Sequence, residues 1–284
     1  MCKKVLIASD STTDLGAELI ARYGVQIVPL GIHLGDKHYT DGVDIDPEYI
    51  YRHYEETGEL PKTAAVNIAE YADFFERWTK EGYAVVLFSI SAEMSSSYQN
   101  ACLAASGFDD VFVVDTRNLS TGGGLLVVSA GEMVKAGRSA SEIARSCQAL
   151  ASQVDASFVI DSLEFLHKGG RCSALAALGA NLLHLKPCIV VRDGKMAVGR
   201  KYRGKFSAVL RQYITDQLGD ASGIDLERVF VTHAGCDEET VQMCVELVRQ
   251  LAPFKEVFLT RAGCTISSHC GRNTLGVLFL RKGP

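Results

Sequence analysis

Val85–Ala101, VVLFSISAEMSSSYQNA, is the stretch whose reading decides the fold. A mostly apolar run, Val85 to Ile90, ends in hydroxyls at Ser91, Ser95, Ser96 and Ser97 and passes into a helix-compatible segment. A short buried run that meets a polar turn and then a helix is the pattern of a strand in a parallel sheet. Hydroxyls and free backbone N–H groups at a helix start also form a site for an anion. No general base, metal-ligand set or phosphate loop stands beside these serines. The segment therefore reads as a holder of a carboxylate or phosphate more than a place where a bond is cut.

Working outward, the first half repeats the alternation. Val5–Ala8, Val25–Leu30 and Val111–Val114 read as further buried strands. Leu15–Tyr23, Asn67–Lys80, Ser97–Ala105 and Gly122–Lys135 read as helices between or after them. Alternation of this kind implies crossover connections and a parallel sheet covered on both faces. Asp46-Pro47-Glu48 starts a helix, with Asp46 as the cap and Pro47 in the first turn. Tyr39–Asp44, just before it, reads as an insertion between strand and helix.

The pattern changes near Ala151–Ala156. Ser157–Asp161, Pro187–Arg192, Met196–Lys201, Val229–His233, Glu256–Thr260 and Gly276–Leu280 read as strands. Asp193-Gly194 joins two of them, and Asp-Gly suits the positive φ angles of a type I′ hairpin. Longer helices are expected at Phe206–Leu218 and Glu238–Leu251. The fold class is α/β: an N-terminal three-layer parallel-sheet domain over residues 1–153, then a C-terminal α+β domain with a mixed or antiparallel sheet over residues 154–284.

The chain of 284 residues carries a formal net charge of −5, which argues against a general nucleic-acid binder. Its nine cysteines are odd in number and irregularly spaced, with no C-x-x-C pair. That argues against a disulfide framework or a structural zinc site, and for a reduced, cytoplasmic setting. The apolar part of the first ten residues is too short for a signal peptide, and no run of about 18 apolar residues exists to span a membrane.

Several segments are candidate sites. Asp10-Ser11-Thr12-Thr13-Asp14 follows the first strand and reads either as a ligand loop or as a helix cap. Thr63 follows Leu60-Pro61-Lys62 in a loop. Ser95 reads as an N-cap, which is compatible with anion binding. In Leu163–Cys172, LEFLHKGGRC, the glycines break a helix and leave Lys168 and Arg171 beside a turn, where an arginine can pair an anion. Ala174–Leu185 reads as an apolar helix beside that mouth. Thr121-Gly122-Gly123-Gly124 lacks the ending of a phosphate loop and reads as a close-packed helix entry. His269 lies among small residues between two late strands, as a hydrogen-bond donor in an extended loop. Cys270 beside it is expected to point elsewhere, which disfavours a Cys–His dyad.

Taken together these segments resemble the DegV family of lipid-binding proteins, which includes the fatty-acid-binding subunit of bacterial fatty acid kinase. The resemblance rests on SDSTTDL (Ser9–Leu15), YTDGVDI (Tyr39–Ile45), PKT (Pro61–Thr63) and ISAEMSSSYQNA (Ile90–Ala101). It continues through LEFLHKGGRCSALAAL (Leu163–Leu178), LKPCIVVRDGKM (Leu185–Met196), YRGK (Tyr202–Lys205) and SSHCGRNTLGVLF (Ser267–Phe279). It implies a non-enzymatic binder that buries a long-chain fatty acid between two domains and holds the carboxylate with hydroxyls.

By that resemblance Thr63 and Ser95 match the carboxylate-binding threonine and serine, and His269 matches the histidine near the carboxylate. Arg171 follows the double glycine, with Ser96 and Ser97 also near the head group. Arg171, Arg203 and Lys205 would dock an ATP-dependent fatty acid kinase catalytic subunit, which phosphorylates the carboxylate to an acyl phosphate. Lys168, Lys201 and Arg272 would extend that basic face. No cofactor or metal is implied beyond the bound fatty acid, and transient contact with a membrane surface is the remaining partner expectation. The chain departs from the family's usual pattern at Ala64-Ala65-Val66, at Ser96-Ser97 and at Cys270-Gly271-Arg272-Asn273. Two other classes stay open at this point: an acyl hydrolase using Ser95 or Cys270 with His269, and a sensor of a small anion.

Overall fold

A computed structural model describes residues 3–172 and 185–283 of the chain. The first half runs β1 (Lys4–Asp10), α1 (Ala17–Tyr23), β2 (Gln26–Val28), β3 (Gly31–Leu34), β4 (Lys37–Thr40), α2 (Pro47–Thr57), β5 (Lys62–Ala64) and α3 (Ile68–Lys80). It continues through β6 (Tyr83–Ser89), α4 (Ser97–Ala105), β7 (Val111–Asp115), α5 (Thr121–Lys135) and α6 (Ala140–Leu150). The second half contains β8 (Val154–Ile160), α7 (Glu164–Gly169), β9 (Lys186–Arg192), β10 (Lys195–Tyr202) and α8 (Phe206–Leu218). It ends with β11 (Ile224–Ala234), α9 (Glu238–Leu251), β12 (Glu256–Arg261), α10 (Cys264–Cys270) and β13 (Thr274–Arg281).

Three sheets result. A four-stranded parallel sheet has the order β2-β1-β6-β7. A six-stranded sheet has the order β10-β9-β8-β13-β11-β12, antiparallel except for the β11–β12 pair. A small antiparallel sheet has the order β4-β3-β5.

Strand alternation sorts the core into layers. In β1 and β6, Leu6, Ala8, Val85 and Leu87 face Tyr71 and Phe75 of α3 and Ala101 and Ala104 of α4. Ile7, Val86 and Phe88 face the other way, onto α5 and α6. The six-stranded sheet joins this same core through Ala156, Phe230, Leu278 and Leu280, with α5 against β8 and β13. Its opposite face is covered by α8 and α9 through Val209, Tyr213 and Val245. The stack is therefore helix, sheet, helix, sheet, helix. At the α5 entry a Cβ on Gly122 would stand 2.8 Å from Asn118 Oδ1, so the triple glycine is a close-packed helix start, as expected.

Local expectations hold at several points. Asp46 caps α2 by accepting from Tyr49 N–H at 2.8 Å, with Pro47 in the first turn. Asp193 and Gly194 adopt φ of 51° and 80°, and β9 and β10 pair around them.

Three expectations fail. The expected strand Val25–Leu30 stops at Val28, because Pro29 cannot donate to a ladder. The Tyr39–Asp44 insertion is partly β4, paired with β3 in a sheet of strands three or four residues long. The expected extended loop around His269 is the helix α10. The apolar helix expected at Ala174–Leu185 lies, apart from Leu185, outside the described residues.

Candidate functional site

The switch point of the parallel sheet lies between β1 and β6, where the strand order reverses. Ligands gather beyond the carboxyl ends of strands at such a point. The two segments that leave it take different roles here. After β1, Asp10 is fully buried and accepts from Thr12 N–H, Ser89 O–H and Ile90 N–H at 3.1, 2.9 and 2.7 Å. It caps a short 3₁₀ turn and braces the end of β6, so it works under the site.

After β6 the chain turns through Ser91 to Ser95 and enters α4. Ser91 is tied to the other sheet, donating to Gly194 C=O at 2.7 Å. Ser96, not Ser95, is the cap residue, and its side chain makes no capping bond. Ser95 Oγ instead accepts from Ser97 N–H at 3.2 Å and lies 3.0 Å from Ser97 Oγ. Ser97 is fully buried behind Ser95, away from the head-group position expected for it.

Ser95 and Ser96 open onto a cavity of about 210 Å³ that Thr63, Arg171 and His269 also line. The rest of its wall is largely apolar: Ile90, Met94, Leu119, Met196, Ile266 and Cys270. Leu119, Ile266 and Cys270 also border a second, smaller space of about 30 Å³ between α10 and the six-stranded sheet, lined further by Ala156, Phe158 and Leu278 and by Thr232 and His233. Hydroxyls, Arg171 and His269 thus share one cavity with a largely apolar wall. Met94, Leu119, Met196 and Ile266 are lining residues that the sequence reading missed. Each is one apolar residue in a different segment, and nothing in its local pattern distinguishes a cavity wall from core.

Thr63 sits on β5, not in a loop, opposite Ile32 of β3. Its Oγ1 lies 2.9 Å from His269 Nε2. Among the described residues His269 Nδ1 has no hydrogen-bond partner; it is buried and faces Gly169, where a Cβ would come within 2.6 Å of it. Burial, with the nearby Arg171 charge adding to it, holds the His269 pKa down at about 4, so the ring is neutral at pH 7. An unpaired buried N–H costs a full desolvation penalty, so the proton belongs on Nε2 and the bare lone pair on Nδ1. Nε2–H then donates to Thr63 Oγ1, and the Thr63 O–H is left to turn into the cavity. Ser95 follows the same logic: Ser97 N–H donates to its oxygen, and with Ser97 as the donor of their 3.0 Å hydroxyl pair the Ser95 proton is available. Two hydroxyls primed as donors suit a carboxylate.

The hydrolase alternative fits this geometry poorly. Ser95 bonds Ser97 rather than His269, and burial pushes the Cys270 thiol up to about 12.

The basic residues divide into two groups. Arg171 is exposed and donates to Gly169 C=O at 2.8 Å beside the cavity. Lys201, Arg203 and Lys205 are exposed around the β10–α8 connection. Lys168 is paired with Glu164 at 2.9 Å, and Arg272 with Glu48 and Glu55 at 2.8 and 3.4 Å. The last two therefore bring little unbalanced charge. Among the described residues no group of three or more His, Cys, Asp or Glu side chains is placed to hold a metal ion, and no helix is long and apolar enough to cross a membrane.

A family profile described as "Uncharacterised protein, DegV family" matches residues 4–282. The chain belongs to the DegV family. A DegV domain-containing protein of Clostridium acetobutylicum is 31% identical over 282 residues, 99% of each chain. Among solved structures, a fatty-acid-binding DegV family protein from Thermus thermophilus is 28% identical with a TM-score of 0.88, covering 98% of this chain and 100% of its own. A stearic acid-binding protein from Eubacterium ventriosum is 27% identical with a TM-score of 0.85, covering 99% of each. The α/β architecture with one parallel and one mixed sheet is that of these DegV proteins.

Proposed function

We propose that this DegV protein binds one long-chain fatty acid, its carboxylate on Thr63 and Ser95 and its tail along the apolar cavity. The observation that carries this reading is the convergence of two hydroxyl donors on one cavity with a largely apolar wall. The fatty acids named for the Thermus and Eubacterium proteins support it. Residues 1–153 supply the hydroxyls, and residues 154–284 cover the chain and supply His269.

The energetics are reasonable. Each buried CH₂ contributes about 0.8 kcal/mol, so a chain of roughly fourteen to eighteen carbons supplies on the order of 10 kcal/mol before ordering and association costs. The carboxylate would offset much of that gain if buried unsatisfied, and two hydroxyls supply bonds to it. Arg171 adds a positive charge at the mouth, and Ser96 a further hydroxyl.

In this reading the protein is not itself a catalyst. It presents the carboxylate to an ATP-dependent kinase in the cytoplasm, which transfers a phosphoryl group and forms an acyl phosphate. Arg171, Arg203 and Lys205 form the docking contacts, and fatty acid is loaded in transient contact with a membrane surface. Titration with a long-chain fatty acid and with its methyl ester tests the carboxylate site. Tight binding of the acid and much weaker binding of the ester support it; equal binding of both contradicts it.

A further inference from the structure

Asp14 and Asp41 are buried acidic side chains of the N-terminal half; neither lines the cavity, although Thr265, which Asp41 holds, does. Both converge on the first turn of α10, in the other half of the chain. Asp14 Oδ1 accepts from Gly263 N–H at 2.8 Å. Asp41 Oδ1 accepts from Cys264 N–H at 2.8 Å, and its Oδ2 accepts from Thr265 N–H at 3.1 Å and Thr265 O–H at 2.6 Å. Ser11 and Ser120 donate to the same two carboxylates at 2.9 and 2.5 Å.

A helix start leaves four backbone N–H groups without partners inside the helix. A local side chain normally takes one of them. Here the cap residue is Gly263, which has no side chain, and three of the four are taken by aspartate side-chain oxygens from more than 200 residues away. The fit is close: a Cβ on Gly263 would stand 3.2 Å from Asp14 Oδ1 and 3.4 Å from Asp41 Oδ1.

The small sheet links this start to the other end of the helix. Gly31 of β3 pairs with Thr40 of β4 on one side and Ala64 of β5 on the other. Asp41 follows Thr40, and Thr63 precedes Ala64. One three-stranded sheet therefore carries both the carboxylate that grips the start of α10 and the hydroxyl that meets His269 near its end. Five residues of helix, about 7.5 Å of rise, separate the two grips.

We propose that Asp41, seconded by Asp14, is a positioning residue for the carboxylate site: it fixes α10 against the β4-β3-β5 sheet, so that His269 Nε2–H meets Thr63 Oγ1 and leaves the Thr63 proton for the ligand. This rests on the fatty acid reading above.

A double-mutant cycle on fatty acid affinity tests it, read together with ¹⁵N NMR of the His269 ring in ligand-free protein. Asp41→Asn keeps the shape but turns an amide N–H₂ toward groups that are themselves donors. The expected result is an affinity loss of about tenfold that shrinks to about twofold or less in a His269→Ala background. The ring of ligand-free Asp41→Asn protein should also change from a single Nε2–H tautomer to a mixture. Equal losses in both backgrounds, or an unchanged tautomer, would overturn the proposal. If Asp41→Asn does not fold, Thr265→Val, which removes a single donor to Asp41, gives the same pattern with smaller effects; because Thr265 also lines the cavity, the ring tautomer and not the affinity decides that variant. Should the wild type bind no fatty acid, the functional reading fails, while the NMR signature still decides whether Asp41 positions His269.

Discussion

Thr63 Oγ1 and His269 Nε2 lie 2.9 Å apart although 206 residues separate them. The contact joins β5 of the small sheet to α10, and it aligns the Thr63 hydroxyl with the cavity that Ser95 also faces. Thr63→Val keeps the side-chain shape and removes the donor. Fatty acid affinity should fall by about 1–3 kcal/mol, the usual cost of leaving a buried acceptor one donor short. Calorimetric titration measures it, and an unchanged affinity removes Thr63 from the site.

Ser95→Ala should cost a similar amount, about 1–3 kcal/mol, for the same reason. Ser97→Ala should cost less, because Ser97 is buried behind Ser95 and Ser97 N–H still holds the Ser95 oxygen. A larger loss for Ser97→Ala than for Ser95→Ala in the same titration would reverse the assignment.

Gly169→Ala places a Cβ 2.6 Å from His269 Nδ1, so the ring must move. Affinity should drop more than thermal stability, because Gly169 is the half-buried last residue of α7, while Phe165 and Leu166, which anchor that helix, are untouched. A ligand titration beside a melting curve separates the two effects.

His269 sets an acid limit on stability. Its folded pKa of about 4 lies below the ordinary 6.5, so the folded state binds fewer protons than the unfolded state in that window. Its contribution is present above pH 6.5 and is lost as pH falls toward 4, amounting to roughly 3 kcal/mol. Asp14 acts in the opposite sense. Burial raises its carboxyl to about 8, so its contribution is present below pH 4 and is lost as pH rises through 8. Chemical denaturation across pH should show the acid slope reduced in His269→Gln and the alkaline slope reduced in Asp14→Asn.

Much of this fold is legible in the sequence because its larger elements satisfy local rules. Phe206–Leu218 and Glu238–Leu251 form helices with the bounds their apolar spacing implies, and Asp193-Gly194 makes its hairpin. The small sheet is not legible, since strands such as Lys37–Thr40 are too short and polar to show a period. Nor is α10. Its sequence, CTISSHC, is poor in strong helix formers, and its start is capped by Asp14 and Asp41 from the far end of the chain. The candidate site divides the same way. The serine cluster announces itself locally, whereas Thr63, Arg171 and His269 are weak signals one by one and are joined into a single site only by the family resemblance. Leu119, Met196 and Ile266 become wall residues only when the loop before α5, the β9–β10 hairpin and α10 come together.

Fatty acid binding through Thr63 and Ser95 is tested most plainly by mass spectrometry of lipid extracted from the purified protein, run on wild type and on Thr63→Val/Ser95→Ala. The expected result is about one long-chain fatty acid per wild-type chain and a strong reduction in the double variant. Wild-type protein free of fatty acid and unable to take it up, or a double variant loaded as fully as wild type, would contradict it.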